Sequence, residues 1–480
     1  MIDEKLLDKL ENRLGPRGFT RDPDAIRPWL TDWRGARTGA SAALLSPADP
    51  AEVQAIVALA GAAGVPLVPQ GGNTSMVAGA TPPADGSALL VSLRRMDAIR
   101  SLSAGDGMIV AEAGAILSNV HDAAAVQGWR FPLSLGAKGS ATIGGLVSTN
   151  AGGTQVLRFG TMRQLLLGIE AVLPDGSLFE GLAPLRKDNR GYDLRQLLAG
   201  AEGTLGIVTA AALRLVPAIG ARGVGWAGLA DPANALRLLR ALEARLGDAI
   251  ESFELVPGDA LDLVLHHVPG TRAPLVGRHA WHVLIEATSA RADSGIEAAL
   301  GDALAAALED GVVEDATVAA SEAQAAALWR IREAVPEAER ADGSSVKHDV
   351  SVAVAAMPGF ILSARAAVEA RFTGARVIAF GHLGDGNVHF NVRPPAGPDG
   401  AAWIAAHGPA VNGFVHDLVG QAGGSLSAEH GIGQTRLAEF ARVGGAARLA
   451  ALAAIKTAID PRGIMNPGKL VPLAPYRAAQ

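Results

Sequence analysis

The sequence contains no cysteine among its 480 residues. A protein without cysteine forms no disulfide bonds and has no thiolate for nucleophilic catalysis or for zinc binding. It also cannot ligate an iron–sulfur cluster through cysteine, nor hold a flavin through a cysteinyl link. These classes of site are excluded for the whole chain.

Extended runs of positive charge and of apolar residues are also missing. The net charge is -6 and no basic run exceeds a few residues, so the chain lacks the pattern of proteins that bind nucleic acid or anionic membranes. Glycine or charge interrupts each apolar stretch before the ~20 residues that a membrane helix requires. Residues 1–10 predict an acidic amphipathic helix, without the basic start and long apolar core of a signal peptide. We therefore expect a cytoplasmic protein that does not bind nucleic acid.

Local patterns predict mixed helices and strands, and the length allows two or three domains. Residues 51–64 predict a helix, and residues 65–69 predict the strand that follows it. A new segment begins near residue 222 with a strand at 224–229. Asp231 and Pro232 then start a helix, as N-cap and first helical residue. A strand or hairpin is predicted at 205–216, and helices at 295–310, at 322–341 and from 455 to Asp460. The predicted fold class is a layered α+β or α/β structure.

One dinucleotide-like motif is interpreted as a chance match to the sequence pattern. Residues 223–228 match the pattern G-x-G-x-x-G, in which the glycines normally link a strand to a helix. Here the glycines fall within the predicted strand, and the helix begins only at Asp231. The sequence therefore does not predict NAD binding at this position.

Glycine-rich segments in the first half of the chain favour a cofactor site. Residues 69–76 (Pro-Gln-Gly-Gly-Asn-Thr-Ser-Met) directly follow a strand, where successive backbone N–H groups can converge on an anion. Residues 135–145 and 149–153 are almost free of bulky side chains, and residues 200–206 form a further glycine-rich stretch. Any one of these segments could be an ordinary turn. Together they predict a cradle for a diphosphate-containing cofactor.

Two histidines and a carboxylate in the second half predict a divalent metal site. His382 and His389 flank a glycine-rich turn, and Glu429 and His430 lie in a second loop free of bulk. Two imidazoles and one carboxylate leave coordination positions open for a substrate, as in catalytic metal sites. The ligand types suit zinc first, with manganese, cobalt or iron(II) as alternatives. The remaining histidines are interpreted as core or surface residues: His121, His266, His267, His279, His282, His407 and His416.

These motifs, together with residues 185–194 (Leu-Arg-Lys-Asp-Asn-Arg-Gly-Tyr-Asp-Leu), resemble the FAD-dependent D-2-hydroxyacid dehydrogenases of the vanillyl-alcohol oxidase superfamily. That family includes D-2-hydroxyglutarate dehydrogenase, D-lactate dehydrogenase and the flavin subunit of glycolate oxidase. The resemblance runs from about residue 40 to 472. It implies an α+β flavoprotein of two domains. The FAD-binding domain would span 1–221 with its core at 41–217, the cap or substrate domain 222–425, and a C-terminal segment, 426–480, would return to the FAD domain.

The resemblance implies FAD bound outside a Rossmann fold, with residues 70–75 around the diphosphate and residues 136–145 near the flavin. Many superfamily members tether FAD through a histidine in the first loop. That loop contains no histidine here, so we expect noncovalent FAD. The predicted cofactor-binding residues are Pro69, Gln70, Gly71, Gly72, Asn73, Thr74, Ser75, Gly79, Leu135, Gly136, Gly139, Ser140, Gly144, Gly145, Asn150, Gly152, Gly153, Glu202, Gly203, Gly206, Ile207, Val208 and Asn466.

The resemblance also assigns His382, His389 and Glu429 to the metal, and it places Asn391 and His430 against the substrate. The positions that match Arg332 and Lys347 bind substrate carboxylates in D-2-hydroxyglutarate dehydrogenases, which suits the planar fork of arginine and the point charge of lysine. A simpler interpretation of Arg332 is a solvated ion pair with Glu333 or Glu337.

Two departures concern the distal half of the substrate pocket. Pro336 stands where hydroxyglutarate dehydrogenases typically have a threonine, and proline has neither a hydroxyl nor a backbone N–H. His348 stands where a tyrosine is common. Hydroxyglutarate, lactate and a less common 2-hydroxy acid therefore all remain open as the substrate.

The predicted activity is oxidation of a D-2-hydroxy acid to the 2-oxo acid by metal-assisted hydride transfer to flavin N5, with His430 as general base. Electron-transfer flavoprotein, a cytochrome or a quinone is the expected acceptor, as in the family. Alternatives are a flavin subunit of a multi-subunit glycolate oxidase, a catalytically silent flavin- or metal-binding protein, and a flavoenzyme for another alcohol. The sequence leaves open whether the chain forms a homodimer.

Overall fold

The computed structural model describes residues 2–185, 187–397 and 399–473, so Arg186 of the family-like motif lies outside the described residues. The described strands are β1 (Phe19–Thr20), β2 (Leu44–Leu45), β3 (Leu67–Gln70), β4 (Leu89–Ser92), β5 (Ile99–Ser103), β6 (Met108–Glu112), β7 (Trp129–Arg130), β8 (Leu166–Val172), β9 (Leu178–Gly181), β10 (Ile207–Arg214), β11 (Val216–Pro217), β12 (Ala221–Leu229), β13 (Ile250–Pro257), β14 (Trp281–Ser289), β15 (Asp315–Val318), β16 (Val346–Ser351), β17 (Arg376–His382) and β18 (Asn387–Arg393).

The helices are distributed along the whole chain. They are α1 (Glu4–Gly18), α2 (Pro23–Ile26), α3 (Pro50–Ala63), α4 (Leu117–Val126), α5 (Ile143–Thr149), α6 (Val156–Phe159), α7 (Met162–Leu165), α8 (Leu194–Leu198), α9 (Pro232–Leu246), α10 (Gly258–His267), α11 (Ile296–Glu309), α12 (Glu322–Glu333), α13 (Val335–Asp342), α14 (Met357–Arg371), α15 (Gly400–Gln421), α16 (Leu437–Val443) and α17 (Ala446–Ile459), with short 3-10 helices at Arg27–Trp29, Gly247–Ala249 and Val354–Ala356. Among the described residues, no helix combines the length and the apolar character needed to cross a bilayer.

The chain divides into two compact units. The first unit contains residues up to 152, residues 160–217 and residues from 429 onward, whereas the second contains residues 153–159 and 218–428. Helices and mostly antiparallel sheets occur in both, which confirms the α+β class.

Three sheets form the framework of the first unit. A four-stranded sheet has the order β1-β2-β4-β3, with parallel pairs between β2, β4 and β3. A five-stranded antiparallel sheet has the order β5-β6-β10-β8-β9, and β7 pairs with β11. A hydrophobic cluster that includes Leu10, Ile56, Leu67 and Leu89 packs α1 and α3 against the four-stranded sheet.

The second unit is built on one seven-stranded antiparallel sheet with the order β15-β12-β14-β13-β17-β18-β16. Its two faces bury separate hydrophobic clusters. Phe253, Leu255 and Phe390 belong to one cluster, whereas Val256 and Phe380 belong to the other. Because side chains alternate across a strand, a polar residue among these positions is directed to a defined face of the sheet.

Local capping signals explain the elements that were predicted best. Helix α3 begins after Asp49, whose side chain accepts from Glu52 N, and it ends at Gly64 in the left-handed conformation. Asp231 caps α9 in the same way, by accepting from Asn234 N at 3.0 Å. Both helices and the strands next to them therefore lie within a few residues of their predicted bounds.

The glycines of the dinucleotide-like motif lie inside strand β12, as predicted. Gly228 has a packing reason to be glycine, because a methyl group there would overlap the imidazole ring of His279. The motif is therefore part of a sheet and not a strand-to-helix phosphate loop.

Two predicted boundaries were wrong. The helix expected over 322–341 is two helices, α12 and α13, that break at Ala334, two residues before Pro336. The helix expected from residue 455 begins earlier, at Ala446, because the alanine-rich stretch before it is also helical. Of the strand or hairpin expected over 205–216, the structure has the strand: β10 covers Ile207–Arg214, and the two-residue strand β11 follows it.

Candidate active site

The loop that follows β3 presents a run of unused backbone donors. Gln70 is the last residue of β3, and the half-buried residues 71–76 follow it without regular structure. Among the described residues, the backbone N–H groups of residues 71–76 donate to no protein acceptor. Asn73 adopts a positive φ of 51°, which helps successive amides to converge. The loop has the form of an anion-binding concavity.

The second glycine-rich loop packs directly on the first. A methyl group at Gly71 would overlap Thr142 Oγ1, and one at Gly72 would overlap the carbonyl oxygen of Ser140. Gly144 is equally restricted by the backbone of Ala113. The two segments that the sequence singled out therefore meet in the structure, and glycine is required where they touch. At Gly136 and Gly139, by contrast, a methyl group would meet no atom within 4 Å, so that part of the loop is open.

Segments distant in sequence complete this region of the first unit. Asn466 donates through Nδ2 to the carbonyl oxygens of Gly79 at 3.0 Å and Glu202 at 2.6 Å. A methyl group at Gly203 would collide with Pro69, and Gly79 lies beside Ser75. These contacts bring together predicted cofactor residues that are up to 397 positions apart (466 minus 69).

Three buried polar atoms of this region have no partner among the described residues. They are Gln70 Oε1, Thr142 Oγ1 and Asn466 Oδ1. Buried polar atoms are normally hydrogen-bonded, so an orphaned cluster indicates a missing ligand. The N–H run and the Thr142 hydroxyl can donate to phosphate oxygens, and the two amide oxygens can accept from ribityl or ring donors. Thr142 was not singled out from the sequence, because nothing in its segment distinguishes it from Ser140.

Other predicted cofactor residues have structural roles. The Glu202 carboxylate accepts from the backbone N–H groups of Ile432 at 2.7 Å and Gly433 at 2.8 Å. Asn150 Oδ1 accepts from Thr161 Oγ1 and Arg163 N. The side chains of Ile207 and Val208 are buried in strand β10, so only their backbone can face a ligand. Leu135 is half-buried in the first unit, and Gly206 directly precedes β10. Gly152 ends a segment of the first unit and Gly153 begins a segment of the second.

The predicted metal ligands lie close to one another. His382 is the last residue of β17 and His389 the third residue of β18, so the hairpin presents both rings on one face, with centroids 5.6 Å apart. Glu429 directly follows Ala428, whose N–H donates to the carbonyl oxygen of Asp349 at 3.2 Å. One ligand atom from each of the three residues lies within 4.8 Å of the others. This donor set suits a divalent cation.

A buried carboxylate lies behind each histidine. Glu254 Oε1 is 2.9 Å from His382 Nδ1, and Asp349 Oδ1 is 4.0 Å from His389 Nδ1. Carboxylates that hold the second ring nitrogen are typical of metal-binding histidines, since they fix the tautomer and raise ligand basicity. Burial alone would raise the pKa of Glu254, but the neighbouring His382 imidazole and Arg332 guanidinium lower this pKa to about 2.

Arg332 has a different partner from the neighbours considered in the sequence. It is buried, and its Nε and Nη2 contact Glu254 Oε2 at 2.9 and 2.8 Å. Its guanidinium also lies 5.0 Å above the ring of Phe380. The helix-neighbour ion pair belongs instead to Arg330, which contacts Glu337 at 3.0 Å. The interpretation of Arg332 as a solvated surface residue is therefore wrong.

Lys347 and Asn391 share a second buried carboxylate. Asn391 Nδ2 donates to Glu339 Oε2 at 2.7 Å, and Lys347 Nζ lies 4.0 Å from the same oxygen. Burial raises the pKa of Glu339. His348 is a core residue whose Nδ1 donates to the carbonyl oxygen of Phe390 at 2.8 Å. Pro336 is exposed in the first turn of α13.

Sheet register places these side chains on one face. Lys347 pairs with Asn391, Asp349 with His389, Phe380 with His389, and Glu254 with His382. Directly opposed residues of antiparallel strands point to the same face of the sheet. His430 is half-buried and directly follows Glu429 in the chain. Sequence reasoning missed Glu254, Glu339 and Asp349, because a carboxylate inside a strand or a helix carries no local signal of its partner.

The solved structure of p-cresol methylhydroxylase with substrate bound has the same fold. The TM-score is 0.72 at 15% identity, and the match covers 97% of this chain and 96% of that chain. The chain therefore has the two-part α+β fold of the vanillyl-alcohol oxidase and p-cresol methylhydroxylase type, as predicted.

The family follows from the sequence comparisons. A family described as the FAD binding domain matches residues 41–181, and the C-terminal domain of FAD linked oxidases matches residues 221–470. The chain belongs to the FAD-linked oxidase family. It is 36% identical to D-2-hydroxyglutarate dehydrogenase from Xanthomonas citri pv. viticola, over 98% of this chain and 97% of that protein. It is 34% identical to the mitochondrial D-2-hydroxyglutarate dehydrogenase of Arabidopsis thaliana, over 98% of this chain and 82% of that protein.

Proposed function

We propose that this protein is an FAD-dependent dehydrogenase that oxidises a D-2-hydroxy acid to the corresponding 2-oxo acid. The observation that carries the proposal is the donor set of His382, His389 and Glu429, which lie within 4.8 Å of one another. Lys347 supplies positive charge on the same sheet as the two histidines, and Arg332, on helix α12, supplies it through its contact with Glu254 of that sheet. The names of the relatives, D-2-hydroxyglutarate dehydrogenases of 34% and 36% identity, support this substrate class.

The residues of the first unit fit a noncovalent FAD. The amides of residues 71–76 and Thr142 Oγ1 would hold the diphosphate, and Gln70 and Asn466 offer buried acceptors for the rest of the cofactor. Residues 70–75 include no histidine, so the first loop has no imidazole for a covalent link. Bound FAD would supply a two-electron acceptor for the substrate hydride at N5.

The residues of the second site fit a divalent metal. His382, His389 and Glu429 would hold it, and we propose zinc first, with manganese, cobalt or iron(II) as alternatives. A metal at this position would lower the pKa of the substrate 2-hydroxyl, as it does for bound water.

Side chains of this protein orient the substrate acid and accept its hydroxyl proton. Arg332 carries five N–H donors and Glu254 engages those on two of its nitrogens, so the guanidinium retains donors for a substrate carboxylate. Lys347 adds a second charge, and Asn391 adds an amide. His430, next to a metal ligand in the chain, takes the hydroxyl proton as general base. Fixing the acid at both ends determines which enantiomer presents its C2 hydrogen for transfer.

D-2-hydroxyglutarate is the substrate that we propose first, with D-lactate second. Two cations within one site favour a dicarboxylate, because each carboxylate can then meet a positive charge. Pro336 favours the shorter acid, since it offers neither the hydroxyl nor the N–H of a threonine. We propose that the electrons leave to electron-transfer flavoprotein, a cytochrome or a quinone.

The test is the visible spectrum of the purified protein under nitrogen. D-2-hydroxyglutarate, D-lactate and glycolate are added in turn, with and without prior EDTA treatment. We expect one acid to bleach the flavin band, EDTA to abolish the bleaching, and zinc or manganese to restore it. A flavin band that no acid bleaches would contradict dehydrogenase activity, and bleaching that survives removal of all metal would contradict the metal's role.

His430→Asn provides the second arm of this experiment. Because the amide cannot take up the proton, flavin reduction should slow by about 100-fold or more while FAD and metal remain bound. Reduction at the wild-type rate would remove His430 from the role of general base.

A further inference from the structure

We propose that Glu254 is a positioning residue that holds the metal ligand His382 and the substrate-binding Arg332 in one geometry. Its two carboxylate oxygens are divided between them. Oε1 lies 2.9 Å from His382 Nδ1, and Oε2 lies 2.9 Å from Arg332 Nε and 2.8 Å from Arg332 Nη2. The inference rests on the proposed function of the metal site.

The environment of Glu254 makes this bridge rigid. The side chain of Glu254 is fully buried, and Arg332 and His382 are also buried. A carboxylate in such surroundings is stable only with charged or hydrogen-bonding partners, and removal of one partner leaves a costly buried charge. Burial also restricts the rotamers of all three residues. The position of His382 and the position of Arg332 are therefore not independent.

Aromatic contacts also connect Arg332 with His382, through Phe380 and His389. The Arg332 guanidinium lies 5.0 Å from the ring of Phe380, whose centroid is 5.0 Å from that of His389. The His389 ring is in turn 5.6 Å from that of His382. The rings of His382 and His389 and the Arg332 guanidinium thus belong to one continuous set of packed side chains, in which Glu254 carries the negative charge.

The position of Glu254 bears on the tautomer of His382. Glu254 Oε1 lies 2.9 Å from His382 Nδ1 without an aligned hydrogen bond. Since a carboxylate only accepts, a metal bound at Nε2 would leave the Nδ1 proton facing Glu254. Glu254 thereby selects the ligating nitrogen and raises its basicity. Through Oε2 it also fixes the plane of the guanidinium that meets the substrate carboxylate.

The experiment compares Glu254→Gln with a matched control on the same strand. Glu251→Gln replaces another fully buried carboxylate of β13, which accepts from Gln155 and Thr288 and lies 3.5 Å from Arg158 Nη1. Zn²⁺ affinity is measured by competition with a chelating dye on the FAD-loaded proteins. We expect Glu254→Gln to weaken Zn²⁺ binding by about 10- to 100-fold and Glu251→Gln to leave it within about twofold of wild type.

Steady-state kinetics at saturating zinc separates positioning from simple stability. With the metal site filled, Glu254→Gln should still raise KM for the 2-hydroxy acid, because Arg332 has lost its anchor. Glu254→Asp keeps the charge on a shorter arm, and we expect it to recover part of the Zn²⁺ affinity. Equal loss of Zn²⁺ affinity in Glu254→Gln and Glu251→Gln would reduce the role of Glu254 to general stability and overturn the inference.

The wild-type protein gives an independent check if the variants do not fold. In a crystal structure with zinc bound, His382 must ligate through Nε2 with Nδ1 directed at Glu254. Ligation through Nδ1 would overturn the inference while leaving the metal site intact. Failure of wild-type protein to bind Zn²⁺ at all would instead overturn the proposed metal function on which the inference rests.

Discussion

Several titratable side chains are buried outside the candidate active site, and His282 is the clearest case. It lies on β14 and is 2% exposed, and its Nδ1 accepts from Trp226 Nε1 at 3.1 Å. Burial, with a smaller contribution from His279, lowers the pKa of His282 to about 4. A protonated ring would place a proton on Nδ1 and break the bond from Trp226. This histidine is therefore a neutral core residue, as the sequence interpretation held.

His282 makes the protein sensitive to acid. In the unfolded chain the pKa of His282 is about 6.5. Between about pH 6.5 and 4 the unfolded state therefore binds a proton that the folded state does not bind. The stabilisation is fully present above pH 6.5 and is lost as the pH falls through 4, by about 3 kcal/mol in total. Urea denaturation gives the difference in free energy of unfolding between wild type and His282→Gln. We expect that difference to shrink by this amount as the pH falls through the window. Parallel pH curves for the two proteins would contradict the assignment.

The hairpin of β17 and β18 is the element that forms the metal site. Four residues, 383–386, join a strand that ends in one ligand to a strand that begins two residues before the other. Gly386 has φ 82°, and a methyl group there would overlap the carbonyl oxygen of Val352. Asn387 Nδ2 donates to Asp349 Oδ1 at 2.8 Å, so the turn is also tied to the carboxylate behind His389. The spacing of the two imidazoles depends on this turn.

Gly386→Ala should therefore damage metal binding more than stability alone explains. A left-handed alanine costs roughly 1–2 kcal/mol before any clash is counted. We expect Zn²⁺ affinity to fall by about tenfold or more, as for other changes to the support of metal ligands. Gly374→Ala is the control, because Gly374 has the same φ of 82° at the start of β17 but is remote from the turn. Comparable Zn²⁺ affinities in the two variants would show that the hairpin turn does not set the ligand geometry.

At the scale of the whole molecule, the predicted diphosphate loop and the two predicted histidine ligands lie in different units. The unused amides of residues 71–76 lie in the first unit, whereas His382 and His389 lie in the second. Each unit is assembled from separate chain segments. Residues 153–159 belong to the second unit because, for example, Ser252 Oγ donates to the carbonyl oxygen of Thr154 at 2.8 Å. FAD and metal should therefore protect different parts of the chain.

Hydrogen exchange measured by mass spectrometry tests this division. Amides of residues 71–76 have no protein acceptor and should exchange rapidly in FAD-free protein, then slow when FAD binds. Zinc should slow exchange across the turn at 383–386. Peptides from strand β6, whose amides are already paired in a sheet, serve as the control and should change with neither ligand. Exchange at 71–76 that FAD leaves unchanged would contradict the assignment of the diphosphate loop.

The sequence by itself determined the features that depend on neighbouring residues. Caps at Asp49 and Asp231, the glycine-rich loops, the placement of the dinucleotide-like motif inside a strand and the two histidines around a turn are all local patterns. Their chemistry is readable because residue type and short spacing decide which conformations are accessible. The family-like motifs were specific for the same reason.

Only the tertiary structure decided which buried carboxylate meets which site residue. Glu254 and His382 are 128 positions apart, and they meet through the pairing of β13 with β17, which no local pattern encodes. Packing of helices α12 and α13 against the same sheet brings Arg332 to Glu254, and Glu339 to Lys347 and Asn391. Strand pairing is set by how whole faces bury apolar surface, so the partners of a polar side chain emerge only when the sheet is assembled.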